Sequence, residues 1–318
     1  MTAGPDPVAS IVVPSYRGVD RLPALMDSLA AQQEGTPPFE VIVVVDGVDD
    51  GSVALLEAER RLPLRSILLP ENRGRVTALN TGFDAARGEV LIRCDDDLLP
   101  GPDFVEQHVA AHPPAGAARG VVGLYRNVYT STPYARAYGE RSDVDFRGAA
   151  YAVPGSMRWR YWAGNCSLPR RLWEEVGPYD AAYRLYGWED VDLGYRIAAA
   201  GYEVALVPEL ETTHRVAAVT TSIRARRAAQ AAAARQIFER IHGKDVLPPA
   251  VPGWSAWNLL VRGASMVCRA MGTARCGAVV DRMLPFLPAP VGRKLVALTV
   301  EGAALAGYRR PDLAKDMF

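Results

Sequence analysis

Over its first hundred residues the chain alternates between short β-branched runs and segments with helical spacing, and this alternation limits the possible folds more than any other feature. Val8 to Val13 is a short apolar run stopped by Pro14, the pattern of a buried strand. Asp20 to Gln33 sets Leu22, Leu25, Met26 and Leu29 at helical intervals. Glu40 to Val45 predicts a second strand, Val53 to Arg61 a helix, and Arg65 to Leu69 a third strand. Arg75 to Ala86 carries Val76, Leu79, Asn80 and Phe83 on a helix stopped by Gly88, and Val90 to Cys94 predicts a fourth strand. Strand and helix in this order predict an α/β fold, a mostly parallel sheet with helices on both faces.

The remainder is less regular. Residues 113 to 160 are rich in Gly, Pro, Arg and Tyr, which predicts an edge strand near Val121 to Tyr125 and a mobile loop around 130 to 158. Tyr161 to Leu168 predicts a strand running into a helix at Arg170 to Val176, Asp190 to Ala200 a helix, and Glu203 to Val207 a strand. After Thr221 the texture becomes helical. Ile223 to Ile241 is Ala-rich, a Pro-rich linker spans Pro248 to Pro252, and further helices are expected around 255–271, 275–287 and 291–307. These features set a boundary near residue 222, dividing a catalytic domain (1–221) from a basic helical C-terminal region (222–318), with no internal repeat.

Charge follows the same division. The whole chain is neutral, which gives no case for a nucleic-acid partner. Residues 1–221 nevertheless carry 21 Arg against 30 acids, and residues 222–318 carry 15 Lys plus Arg against 6 acids. Such a basic region has two readings. One is an interfacial surface at an anionic membrane, with Arg262, Arg269, Arg275, Arg293 and Lys294 among apolar residues and Trp254 and Trp257 at the boundary. The simpler one is an accessory helical subdomain that complements the acidic part and forms a homo-oligomer interface. Cys94, Cys166, Cys268 and Cys276 have neither metal nor disulfide spacing. No basic-then-apolar leader opens the chain, and no uncharged run reaches the roughly 18 residues of a spanning helix. The expected setting is cytoplasmic, either free or in peripheral contact with the inner face of a membrane.

In α/β sheets of this kind, ligands bind beyond the carboxyl ends of the strands. Three polar clusters fall there: Pro14-Ser15-Tyr16, Asp46 to Ser52, and Asp95-Asp96-Asp97. Adjacent carboxylates repel unless a cation or solvent compensates, so the last cluster reads either as a Mg²⁺ or Mn²⁺ site or as a solvated acidic turn. Trp188-Glu189-Asp190-Val191-Asp192 opens a helix, where acids either cap the N-terminus or offer a general base toward a cleft. His214 follows a strand, as a metal ligand or as a satisfied side chain.

The order of these motifs resembles the family-2 glycosyltransferases, which have the GT-A fold. The resemblance is carried by Val12-Val13-Pro14-Ser15-Tyr16, Asp46-Gly47-Val48-Asp49-Asp50-Gly51-Ser52, Asn72-Arg73-Gly74 with Ala78-Leu79-Asn80-Thr81-Gly82, Gly88-Glu89 with Asp95-Asp96-Asp97, Ala163-Gly164-Asn165-Cys166, and Glu189-Asp190-Val191-Asp192-Leu193 followed by Arg196. It covers roughly residues 8 to 215.

What the resemblance implies is transfer of a sugar from a nucleotide-sugar donor, UDP-linked, to an acceptor hydroxyl with inversion, assisted by Mn²⁺ or Mg²⁺. The donor would be bound by Pro14, Ser15, Tyr16, Asp46, Arg75 and Asp95. Asp96, counted with the donor site, would point the other way. Asp97 and His214 would hold the cation, and Asp190 would be the catalytic base. Trp162, Gly164, Asn165, Trp188 and Glu189 would line the acceptor side, the acceptor being a carbohydrate, a lipid-linked sugar or a small molecule.

Three positions depart from the family pattern. Val45 stands where the first acid of the second motif is usual, Val48 replaces the small polar residue after Gly47, and Arg93 precedes the acidic cluster where an apolar residue is usual. Competing readings are a nucleotidyltransferase, opposed by the lone Gly18 after the first strand, and a degenerate transferase fold acting as a scaffold, opposed by the intact acidic motifs. A dinucleotide oxidoreductase lacks its G-x-G-x-x-G.

Overall fold

The computed structural model describes residues 6–113, 116–184, 187–215 and 218–312. Its centre is a seven-stranded sheet ordered β3-β2-β1-β4-β8-β6-β9. The strands are β1 (Ala9–Ser15), β2 (Phe39–Val45), β3 (Leu64–Leu68), β4 (Val90–Cys94), β6 (Arg119–Val122), β8 (Asn165–Pro169) and β9 (Glu203–Leu206). β1 runs parallel to both β2 and β4, with Ile11 opposite Val41 on one side and Ile92 on the other. Every residue of β1 and β4 is buried, as continuous apolar runs require when helices cover both faces of a sheet. The helices α1 (Leu22–Ala30), α2 (Ser52–Ala58) and α3 (Arg75–Ala85) follow β1, β2 and β3 in turn. Leu22, Leu25, Met26 and Leu29 of α1 enter the core with Val13, Val43 and Ile92.

β8 is antiparallel to both β4 and β6, while β6 is parallel to β9. β6 is therefore internal, not the edge strand expected near Val121. Its outer neighbour, β9, lies some eighty residues away in sequence, a pairing that local pattern cannot show. A second sheet, ordered β5-β10-β7, consists of β5 (Leu98–Leu99), β10 (Thr212–Arg215) and β7 (Tyr125–Val128). The expected loop at 130–158 is instead helical: a π-turn at Ala135–Gly139, α5 (Glu140–Ala152) and a 3-10 segment from Gly155. Its Gly, Arg and Tyr content hides the periodicity by which helices are recognised.

The chain forms two compact units, Met1–Arg126 with Ala149–Ala181 and Glu189–Arg215, and Asn127–Gly148 with Ala182–Trp188 and Val216–Phe318. The second unit thus contains two stretches lying wholly before residue 222, and its last stretch begins at Val216. Its long helices are α8 (Thr221–His242), α9 (Ala256–Met271), α10 (Thr273–Met283) and α11 (Ala289–Arg309); α4 (Phe104–Ala110), α6 (Arg170–Val176) and most of α7 (Trp188–Ala199) belong to the first unit. α8 and α11 approach closely through small residues: a Cβ on Gly307 would lie 2.1 Å from the Ala229 carbonyl oxygen. Asp281 accepts hydrogen bonds from the first two amides of α8, Thr221 at 2.7 Å and Ser222 at 3.1 Å, which fixes α10 against that terminus. No helix among the described residues is long and apolar enough to cross a membrane.

Candidate active site

The carboxyl ends of β1, β2 and β4 bring the three polar clusters to one edge of the sheet, and each acid there has a different partner. Asp46, after β2, accepts from the backbone amides of Arg73 at 2.7 Å and Gly74 at 2.9 Å, one on each oxygen. The Asn72-Arg73-Gly74 turn ahead of α3 is therefore tied to β2. Gly47 follows at φ 75°, and a Cβ on it would lie 1.9 Å from the Asn72 nitrogen, so the approach requires glycine. Asp49 and Asp50 accept from amides at the start of α2, Gly51 and Val53 for Asp49 and Ser52 for Asp50.

Asp96 is held away from solvent. Its carboxylate accepts from Ser15 Oγ at 2.7 Å and from Arg21 Nε at 2.9 Å and Nη2 at 2.8 Å. Burial pushes its carboxyl up despite Arg21. Ser15 and Asp96 thus join β1 to the acidic turn and are engaged with each other. Pro14 is buried in β1, and Tyr16 is the exposed member of its cluster, with the Arg17 guanidinium 5.4 Å from its ring centre.

Asp95 and Asp190 meet on Arg93. Arg93, the fourth residue of β4, is entirely buried, and it donates from Nε to Asp95 Oδ1 at 2.8 Å and from Nη2 to Asp95 Oδ2 at 3.2 Å. Its Nη1 donates to Asp190 Oδ1, and also to the Tyr179 hydroxyl at 3.3 Å. Burial pushes the Asp95 carboxyl up, but the charges of Arg93 and Arg75 outweigh it and leave the group below its ordinary value. Asp190, in the first turn of α7, differs. Burial, reinforced by Glu189 and Asp95, raises its carboxyl to about 7 against the pull of Arg93 and Arg75. Arg75, the first residue of α3, reaches Glu189 Oε1 at 3.4 Å, so a second cation joins α3 to α7.

Asp97 sits across the second sheet from His214, whose Nε2 lies 3.0 Å from Asp97 Oδ2. β5 pairs with β10 so that His214 lies opposite Leu98, and the imidazole stacks on Tyr125 with ring centres 4.9 Å apart. A carboxylate and an imidazole with facing atoms form a donor set suited to a divalent cation. Among the described residues no three His, Cys, Asp or Glu side chains gather around one point, so such a cation would take its other ligands from phosphate or water.

Of the expected acceptor-side residues, Gly164 and Glu189 lie at this site. A Cβ on Gly164 would lie 2.2 Å from the Asp95 carboxylate, and the Gly164 carbonyl accepts from the Asp95 amide at 2.9 Å. Trp162 and Asn165 are interior residues instead. Trp162 packs against Gly120 and Gly194 and donates from its indole to the Tyr179 hydroxyl at 3.3 Å. The Asn165 amide donates to the Leu210 carbonyl at 2.7 Å and to Thr212 Oγ1 at 2.9 Å. Trp188 belongs to the second compact unit, its ring 5.2 Å from Phe238. Aromatic and amide side chains at these motif positions fill space and satisfy buried backbone.

The sequence reading missed two supports. Asn80 of α3 grips the Tyr179 backbone, accepting from its N–H at 3.0 Å and donating to its carbonyl at 2.9 Å, which fixes the Tyr179 ring beneath Arg93. Behind β8 runs a chain of polar contacts: His112 Nε2 to Ser167 Oγ at 2.8 Å, Ser167 Oγ to His108 Nδ1 at 2.8 Å, and His108 Nε2 to Asn165 Oδ1 at 3.0 Å. With both imidazoles neutral, a single donor order satisfies it, from His112 through Ser167 and His108 to Asn165. Burial lowers them to about 3 for His108 and about 4 for His112.

A consequence is measurable. The unfolded chain takes up protons on these histidines below their ordinary value of about 6.5 and the folded chain does not, so their stabilisation is full above that pH and lost as pH falls. Asp190, with its raised carboxyl, acts in the opposite sense over the same range, so the quantity to read is a difference. The stability advantage of wild type over His112→Gln should shrink by about 1 kcal/mol between pH 6.5 and 5.5 in urea unfolding. A constant difference would mean that His112 is charged in the native protein.

Against known proteins, the family model described as "Glycosyl transferase family 2" matches residues 10–169, and that described as "N-terminal domain of galactosyltransferase" matches residues 148–220. "Uncharacterized glycosyltransferase YfnE" of Bacillus subtilis is 28% identical over 253 residues, 65% of this chain and 64% of its own length. "Validoxylamine A glucosyltransferase" of Streptomyces hygroscopicus is 27% identical over 64% of this chain and 54% of its own. "Undecaprenyl-phosphate 4-deoxy-4-formamido-L-arabinose transferase" of Serratia proteamaculans is 34% identical over 56% of this chain and 48% of its own. The chain thus spans about half to just under two thirds of the length of these curated relatives. Among solved structures, the mannosyltransferase PcManGT of Pyrobaculum calidifontis, in complex with GDP-Man and Mn²⁺, superposes with a TM-score of 0.62 at 21% identity, covering 97% of this chain and 90% of that one. S. aureus TarS 1–349 in complex with UDP-GlcNAc gives 0.50 at 15% identity, covering 96% and 91%. At these identities the likeness is one of fold.

Proposed function

The chain belongs to glycosyl transferase family 2, with the GT-A fold, and from that premise we propose that it transfers a sugar from a nucleotide-sugar donor to an acceptor hydroxyl with inversion at the anomeric carbon. One observation carries the proposal: a single buried guanidinium, Arg93, binds both Asp95 on the donor side and Asp190 at the start of α7. That juxtaposition sets a nucleotide contact beside a carboxylate whose proton affinity suits a general base near neutral pH. In this reading Asp190 takes the proton of the acceptor hydroxyl as its oxygen attacks the anomeric carbon, and the nucleoside diphosphate leaves from the opposite face. Asp95 and Arg75 orient the donor, and Arg93 holds Asp190 in place.

Asp97 and His214 would hold Mn²⁺ or Mg²⁺, which when bound neutralises charge growing on the leaving diphosphate. The donor is a UDP-sugar and the acceptor a carbohydrate or lipid-linked hydroxyl. PcManGT is solved with GDP-Man and TarS with UDP-GlcNAc, so a panel of UDP- and GDP-sugars, assayed for nucleotide release and transfer with Mn²⁺, identifies the donor. EDTA should abolish turnover. Asp97→Ala should lower kcat/KM by roughly 10²-fold or more and weaken Mn²⁺ binding by calorimetry, whereas full activity in excess EDTA would remove the cation from the mechanism.

A further inference from the structure

Helix α9 of the second compact unit is amphipathic, but its apolar side faces outward. Leu259, Leu260, Met266, Val267 and Met271 recur at helical spacing and are all exposed, Met266 at 66%, while Val261, Ser265 and Cys268 on the opposite side are buried. Soluble surfaces seldom carry such a continuous apolar stripe without an occupant. Both borders of the stripe are basic. Arg262 and Arg269 follow one border by helical position, and the Arg262 guanidinium lies 4.6 Å from the exposed Trp254 ring. At the other border, Trp257 lines a cavity of about 420 Å³ with Tyr138, Arg141, Arg293 and Lys294. Asp145 also lines this cavity and pairs with Arg141 at 2.9 Å, and the Trp257 indole donates to Glu301 at 2.8 Å, so this border carries three cations against two acids.

We propose that the exposed face of α9 docks on an anionic lipid bilayer, lying in the plane of the interface with its apolar side chains among the acyl chains and its flanking cations on headgroup phosphates. This goes beyond the transfer reaction and does not depend on it. Apolar residues between two basic borders are the arrangement an in-plane helix needs, the arginine stems lying along the apolar surface while their heads reach the phosphates. A second copy of the chain suits the face less well. A two-fold contact would pair this patch with itself, setting basic border against basic border. The aromatic residues Trp254 and Trp257 stand where apolar and polar layers meet.

The test is flotation of the full chain with vesicles of phosphatidylcholine alone, or containing about 30% phosphatidylglycerol, at low and high salt. The expected result is binding to the anionic vesicles with a blue shift of tryptophan fluorescence, and loss of binding to neutral vesicles and at high salt. The double variant Met266→Asp/Val267→Asp changes only exposed side chains and should keep the wild-type thermal transition while binding at least tenfold less. Arg293→Glu/Lys294→Glu should do likewise. Absence of wild-type binding at low salt would overturn the proposal. So would undiminished binding by the Met266→Asp/Val267→Asp variant, or a wild-type dimer that this variant dissociates. Sugar-donor hydrolysis by the same variants, unchanged in buffer, separates this outcome from failure of the transfer reaction.

Discussion

Asp190→Asn is expected to fold with an unchanged thermal transition and to lose roughly 10²–10⁴-fold in kcat, the range a positioned general base supplies. The amide oxygen still accepts from Arg93 Nη1, so the geometry around Arg93 survives while the proton acceptor is gone. The pH profile gives an independent readout. A base works deprotonated, so with the Asp190 carboxyl raised to about 7, kcat/KM should climb about tenfold per pH unit up to neutrality and then level. An ordinary carboxylate would already have reached its plateau by pH 5. Near-normal turnover in Asp190→Asn, or a profile flat from pH 5 to 8, would remove Asp190 from the base role.

Arg93→Met is expected to cost about 3–5 kcal/mol of stability at pH 7, measured by urea unfolding, because it strands Asp95 and Asp190 without their shared cation. The sign of its pH dependence is diagnostic. Without Arg93, burial pushes both carboxyls up, Asp190 further above its unfolded value and Asp95 from its depressed one, so the folded state binds more protons and gains relative stability as pH falls. The deficit should therefore be largest at pH 8 and shrink toward pH 5. In the Arg93→Met/Asp190→Asn double variant part of the loss should return, as removing one stranded charge predicts. A deficit independent of pH would mean that Arg93 matters for its volume and not for its charge.

How much of this was legible in the residues depended on how locally each feature is determined. β4 over Val90–Cys94 and α6 over Arg170–Val176 lie where their patterns place them, because an apolar β-branched run and a helical repeat are short-range signals. β6 looked like an edge because its parallel partner β9 is remote in sequence. The helices between Ala135 and Tyr161 were hidden by a composition without a clear apolar face.

At the site, acidic clusters beyond the strand ends were readable, but the work of each acid was not. Asp46, Asp49 and Asp50 engage backbone amides of neighbouring turns, and Asp96 holds Ser15 and Arg21, partners up to 81 residues away. Arg93 was visible as an oddity, an arginine inside an otherwise apolar strand, and its pairing with a carboxylate was foreseeable. That it would bind two acids from separate elements was not, since α7 reaches β4 only through the tertiary fold.

The shared cation has a thermodynamic corollary. Arg93 cannot shed its proton at any physiological pH, so the local electrical balance can change only through Asp190 or through whatever charge the donor brings. With the proposed donor bound there, its occupancy and the protonation of Asp190 become linked functions, and linkage is reciprocal. If a bound donor alters how tightly Asp190 holds its proton, the proton must alter donor affinity by the same factor. The site would then sense acidity in its resting state, before any acceptor arrives.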